Sequence, residues 1–184
     1  PPTGLGYLVA RLGVLARPYR GLPPRTALWG SGTMQSMDAV VEIDALVEAA
    51  LTDPSRLTSV WRATFALPRW WFLHQGAAAS SSLYVGTISG EPYLTAFTTA
   101  QRLREFAIGN GLCPAEVEVP AASMTPLGFL SVAEQFHANG VTGIAFDHNI
   151  NGYYAPLCNL PGLWESTMGS APDLTSAAAP APRD

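Results

Sequence analysis

The spacing of apolar residues divides this chain into short helices and strands. Between residues 39 and 51, Val40, Ile43, Leu46, Val47 and Ala50 recur at helical intervals, while Glu42, Asp44 and Glu48 take the other side. Asp38 is placed to cap this helix and Thr52-Asp53-Pro54 to end it. A second greasy helix is predicted from Ser55 to about Phe65, before Pro68. Trp70-Trp71-Phe72-Leu73-His74 then reads as a strand, and the small residues 77–82 as a loop. Leu83–Ile88 and Tyr93–Phe97, rich in aromatic and β-branched residues around the turn Ser89-Gly90-Glu91-Pro92, predict an antiparallel hairpin.

The pattern then returns to helix. Thr98 is an N-cap candidate, with Gln101 three residues on to complete a capping box. Leu103, Phe106 and Ala107 share one face of a helix over 99–108 that closes at Gly109-Asn110-Gly111. Glu116-Val117-Glu118-Val119 alternates as a half-exposed edge strand would over 115–119. Thr125-Pro126 opens a helix lined by Phe129, Leu130, Val132, Ala133 and Phe136 and ended by Gly140. Val141–Phe146 is a short apolar strand, 147–152 a turn, and Tyr153–Leu157 a last strand. These elements predict one α/β or α+β domain over residues 38–165. Its single mixed sheet has four to six strands, packed by three or four helices.

Composition changes this picture at the two ends. Residues 1–37 carry Arg11, Arg17, Arg20 and Arg25 and no acid. Their apolar part, 4–16, is interrupted by Arg11 and falls short of the ~20 residues a membrane span needs. It loosely resembles a targeting peptide, yet no A-x-A-like cleavage site follows. Residues 1–37 are therefore read as a non-native or flexible extension, and deleting 1–33 should leave the melting temperature nearly unchanged. Residues 166–184, rich in Ala, Pro, Ser and Thr, are expected to be a disordered tail.

Beyond residue 37 the chain sets six Arg against fourteen acids, and it has no lysine anywhere. An acidic body disfavours a nucleic-acid role, and no membrane role is indicated. Cys113 and Cys158 are too few for a disulfide framework and lie in no metal-ligand motif. No cofactor is expected, and the chain is read as cytoplasmic.

The order of pieces over residues 44–163 resembles the SseB-type N-terminal domain, a bacterial family named after an enhanced-serine-sensitivity protein. The resemblance is carried by Ala49-Ala50-Leu51-Thr52-Asp53-Pro54, by Pro92-Tyr93-Leu94-Thr95-Ala96-Phe97-Thr98 and by Gly140-Val141-Thr142-Gly143-Ile144. It implies the family's fold, and no activity, since the family has no established one. Where the family commonly has an Asn-Pro pair, this chain has Asp147-His148-Asn149.

Chemistry-bearing residues are few. No GxSxG elbow, P-loop or GxGxxG pattern occurs, so no catalytic or metal residue is assigned. Glu116 and Glu118 share one face of their expected strand, where they suit a solvated edge better than a cation site or acid–base pair. His74 and His137 have no sequence partners. Asp147-His148 follows an apolar strand, where α/β folds host sites, although such a pair in a Gly/Asn turn is ordinarily solvated.

The aromatic cluster Trp70, Trp71 and Phe72 is the candidate binding surface. Trp70 and Phe72 fall on one face of the strand and Trp71 on the other, so a face left uncovered would be an aromatic patch, whereas the helices that begin at Ala39, Thr99 and Pro126, if they cover both faces, would make the cluster ordinary core. Three functional readings follow. The first is a non-catalytic protein-interaction or adaptor module, with a protein or peptide partner. The second is an enzyme with its site near Asp147 and His148. The third is a purely structural self-association domain.

Overall fold

The computed structural model describes residues 37–75 and 82–169. The expectations for the N-terminal extension up to residue 36, for most of the 77–82 loop and for the tail beyond 169 lie outside them.

Among the described residues, five helices and seven strands form an α/β fold: α1 Met37–Thr52, α2 Leu57–Ala66, β1 Trp70–Gln75, β2 Ser82–Leu83, β3 Val85–Ile88, β4 Glu91–Phe97, α3 Ala100–Gly109, β5 Ala121–Met124, α4 Pro126–Ala138, β6 Gly143–Phe146, β7 Tyr153–Pro156 and α5 Leu160–Met168. The sheet is mixed. β4 pairs antiparallel with β1 and β3, and parallel with β6 through Tyr93–Ala96 against Gly143–Phe146; β7 runs antiparallel along β6. The β4–β6 pair is the parallel one that a strand–helix–strand crossover allows.

The alternation of side chains across the strands builds two unequal layers. On one face Trp70, Phe72, Leu94, Ala96, Ile144, Phe146, Tyr153 and Ala155 meet the apolar sides of α1, α2, α4 and α5. On the other, Leu73, Tyr84 and Phe97 meet Leu103, Phe106 and Ala107 of α3. Beside them Tyr93 lies over Gly143, where a Cβ would stand 2.3 Å from its ring.

Several expectations are corrected. The strand count exceeds six because 83–88 divides at Tyr84 and because β5 was not foreseen. Residues 115–119 form no strand. Prolines 114 and 120 flank them, and the Arg104 guanidinium hydrogen-bonds the carbonyls of Ala115 and Val117, acceptors that a sheet edge would have used. Glu116 and Glu118 are accordingly exposed loop residues, and the chain enters the sheet after Pro120. The first helix already includes Met37, so Asp38 lies within it rather than capping it. The last helix, unforeseen, continues past residue 165 to Met168, packing Leu160, Leu163 and Trp164 inward. Arg62 donates to the carbonyl of Thr167 near its end.

Candidate functional site

Trp70, Trp71 and Phe72 do not form a surface. Trp70 and Phe72 are 0% exposed, because helices on that face cover them. Trp70 packs on Phe65, Phe129 and Phe146 and donates its indole N–H to the Thr64 carbonyl at 2.9 Å; Phe72 stacks on Phe129. Trp71, on the other face, is half-buried against the α3 cluster.

The structure gathers polar groups elsewhere, at the carboxyl ends of the parallel strands β4 and β6. There the two chains leave the sheet as Thr98 and Asp147. Asp147 is wholly buried. Its Oδ1 accepts the Thr98 backbone N–H at 3.0 Å; its Oδ2 accepts the Thr98 hydroxyl at 2.7 Å and Arg102 Nη1 at 2.8 Å. Arg102 Nη2 reaches Asp44 of α1 at 2.5 Å, and the other Asp44 oxygen accepts the Asn151 side-chain amide at 2.6 Å. One cation thus sits between two carboxylates, tying α1, the start of α3 and the 147–152 turn together.

Local sequence explains the placement. Thr99, not Thr98, caps α3, its side chain accepting from the Arg102 N–H at 3.1 Å. This leaves Thr98 free for Asp147, while Gln101 donates to Glu105 instead of closing a capping box. The turn holds Asp147 at φ 45° and Asn149 at φ 68°, the left-handed region that Asp and Asn tolerate better than most residues.

Burial pushes the Asp147 carboxyl above its ordinary value, against the opposing pull of Arg102 and Thr98. Burial works to lower Arg102, but the hydrogen bond to Asp44 and the charge of Asp147 carry it higher still. Tyr153, which opens β7 just after the turn, is fully enclosed and pushed well up by burial; its hydroxyl lies 2.6 Å from that of Thr64.

The turn is therefore not the solvated loop its Asn and Gly residues suggest. His148 is also buried, with its ring edge-on to Phe106 at 6.2 Å. His74 is half-buried on β1, and His137 is exposed at the end of α4. Sequence reasoning singled out Asp147 and His148 but missed Asp44, Thr98, Arg102 and Asn151 as their company. The available signal was a strand end opposite a Thr-Thr helix start, with Arg three residues into that helix.

Chemically, this arrangement is a clamp. Every oxygen of Asp147 already has a donor, so it is not presented as a base. What the clamp does present is its rim: Ile150 of the turn, 42% exposed, and Val41 of α1, 63% exposed, each close in sequence to the Asn151–Asp44 bond. Among the described residues, no three His, Cys, Asp or Glu side chains gather as a metal site would require, and no helix is long and apolar enough to cross a membrane. No protein-family model, curated protein or solved structure matches this chain.

Proposed function

We propose that this domain is a non-catalytic protein-interaction module, and that its binding surface is the rim of the clamp formed by α1 and the 147–152 turn. The observation carrying this reading is that a turn with two left-handed residues is held by a buried ion-pair network while its Ile150 faces water. Rigid presentation lowers the ordering cost of binding, and an exposed aliphatic beside polar groups suits a contact surface. This moves the site away from Trp70–Phe72. The SseB-type resemblance, which implies no activity, stays a proposal about fold alone and lends this reading no support.

The test is site-specific photo-crosslinking. A crosslinker at position 150 or 41 should yield partner adducts that one at the exposed residues Leu112 or Val117, on the loop after α3, does not. Equal yields at all four positions would overturn the reading.

The enzymatic reading rests on one specific observation, a buried, upward-shifted Asp147 beside buried His148 at parallel strand ends. It requires Asp147 to exchange Thr98 or Arg102 for a substrate. Turnover of some substrate that disappears in Asp147→Asn, with the fold retained, would establish it over the interaction reading. Self-association through the same rim is the third outcome, read by light scattering.

A further inference from the structure

We infer that Asn151–Gly152 is a modification site and a one-way covalent switch: deamidation of Asn151 unlatches the 147–152 turn from α1, and Asp44 sets its rate. This holds whether or not the rim binds a partner. An Asn followed by Gly is especially open to deamidation, because glycine leaves the attacking backbone nitrogen uncrowded. The chain has three such pairs, 110–111, 139–140 and 151–152.

The fold treats the three differently. Asn110 and Asn139 close α3 and α4, and their side-chain amides donate to the Phe106 and Gln135 carbonyls at 2.8 and 2.7 Å. The N–H groups of Gly111 and Gly140 donate to the Ile108 and His137 carbonyls at 3.0 and 2.9 Å, so the nitrogen that would attack is already committed to a helix end. Gly152 is placed otherwise. Asp147 N–H donates to Ala96 of β4 and Leu157 N–H to Thr142, so the hydrogen-bonded rungs of β6 and β7 fall at Ile144–Ala155 and Phe146–Tyr153. Gly152, one residue before Tyr153, therefore turns its N–H away from β6. The restraint on this pair is the Asn151 side-chain amide, which Asp44 holds at 2.6 Å. That bond resists the rotation that brings Asn151 Cγ to the Gly152 nitrogen.

In the reaction the Gly152 nitrogen gives its proton to hydroxide and attacks Asn151 Cγ. The new N–C bond forms as the Cγ–Nδ2 bond breaks, and ammonia leaves with a proton taken from water. Water then opens the succinimide to aspartate or isoaspartate. Either product sets a carboxylate where an amide donated, against the carboxylate of Asp44, which keeps Arg102 as its partner. Two acceptors with no donor between them repel, so the turn lets go of α1 while the Arg102–Asp147 pair stays.

The test incubates the full chain in mildly alkaline buffer and follows Asn, Asp and isoaspartate at 110, 139 and 151 by mass-spectrometric peptide mapping. Asp44→Ala should speed conversion at 151 by about tenfold, the factor that one hydrogen bond to a charged acceptor supplies, and leave 110 and 139 unchanged. Asp44→Asn, which keeps an acceptor, should fall between the two. Gly152→Ala should slow conversion at 151 severalfold; its Cβ would stand 3.5 Å from the nearest non-neighbouring atom, the Cα of His148, so the turn accepts it.

Equal rates at 151 in the native chain and in Asp44→Ala overturn the inference, as does a parallel rise at all three pairs, which would report general opening of the fold. Asn151→Asp supplies the product directly. Backbone amide resonances of residues 41–48 and 149–152 should then shift, while the Thr98 amide, bonded to Asp147, holds its position. Unchanged resonances at 41–48 would show that deamidation releases nothing, and the switch would fail.

Discussion

The two faces of the sheet are closed by different means. Four helices press on one face, and its contents are rings: Trp61, Trp70, Phe129, Phe146 and Tyr153 in edge-on, tilted and stacked contact. The other face is covered by α3, and two arginines of that helix fasten it. Arg102 binds Asp147 and Asp44 beyond the strand ends, and Arg104 holds the carbonyls of the 110–119 loop. Apolar volume secures the first face largely without regard to geometry of charge. The second depends on a few directional contacts whose loss leaves a buried partner exposed to no solvent.

This contrast is broken most severely by one substitution on each side. Trp70→Ala should cost about 3–5 kcal/mol, through lost burial and the cavity left behind. Arg102→Met should cost a similar ~3–5 kcal/mol, because Asp147 would remain buried without its counter-charge. Chemical denaturation measures both, and pH separates them. Burial already raises Asp147, so the folded state holds its proton more tightly than the unfolded chain does. The native protein's stability from this group therefore falls as pH rises from the ordinary Asp range toward the folded value. Without Arg102 that fall steepens. The Arg102→Met penalty should accordingly shrink at acid pH, while the Trp70→Ala penalty stays nearly constant. Two parallel pH profiles would contradict the distinction.

The clamp is sharpened further by the double variant Arg102→Met/Asp147→Asn. Asn keeps an acceptor for the Thr98 N–H and tolerates the left-handed backbone, but has no charge to strand. The double variant should be more stable than Arg102→Met alone, with a coupling on the order of 1–3 kcal/mol. Strict additivity would show that Arg102 acts through packing instead.

The two faces were not equally legible in the sequence. The ring-filled face announced itself, since Trp70, Phe72, Leu94 and Ile144 sit in runs whose periodicity is local. Which helices cover Trp70 and Phe72 could not be read locally, because it depends on Phe65 of α2 and Phe129 of α4 returning to the same side. The clamp was less visible still. Asp44, Arg102 and Asp147 are each unremarkable on their own helix or turn, and only the parallel pairing of β4 with β6 brings Thr98 beside Asp147. Residues 115–119 misled for a related reason. Their alternation matched a strand, while Arg104, from the preceding helix, had taken their carbonyls.

Arg104 carries a smaller prediction. Arg104→Met should remove two side-chain to backbone hydrogen bonds on an exposed loop, worth about 1 kcal/mol or less after exchange with water. The effect should be local. Amide exchange should rise at residues 113–119, where the Cys113 thiol to Val117 carbonyl contact also lies, while α3 and the sheet remain protected. Loss of protection throughout α3 would mean that this loop contributes as much as the clamp.

A pair of single substitutions tests the finest point of the comparison, which of two neighbouring threonines belongs to which task. Thr99 caps α3 by accepting the Arg102 backbone N–H, so Thr99→Ala should cost about 1 kcal/mol at any pH. Thr98 is fully buried and its hydroxyl donates to Asp147 while accepting from Arg102. Thr98→Ala therefore removes one of the contacts that keep Asp147 ionised. Its cost should exceed that of Thr99→Ala near neutrality and decline toward it as acid protonates Asp147. If Thr99→Ala were the pH-dependent variant, Thr98 would be the cap, as its spacing from Gln101 suggests, and the second face would be closed by an ordinary helix start.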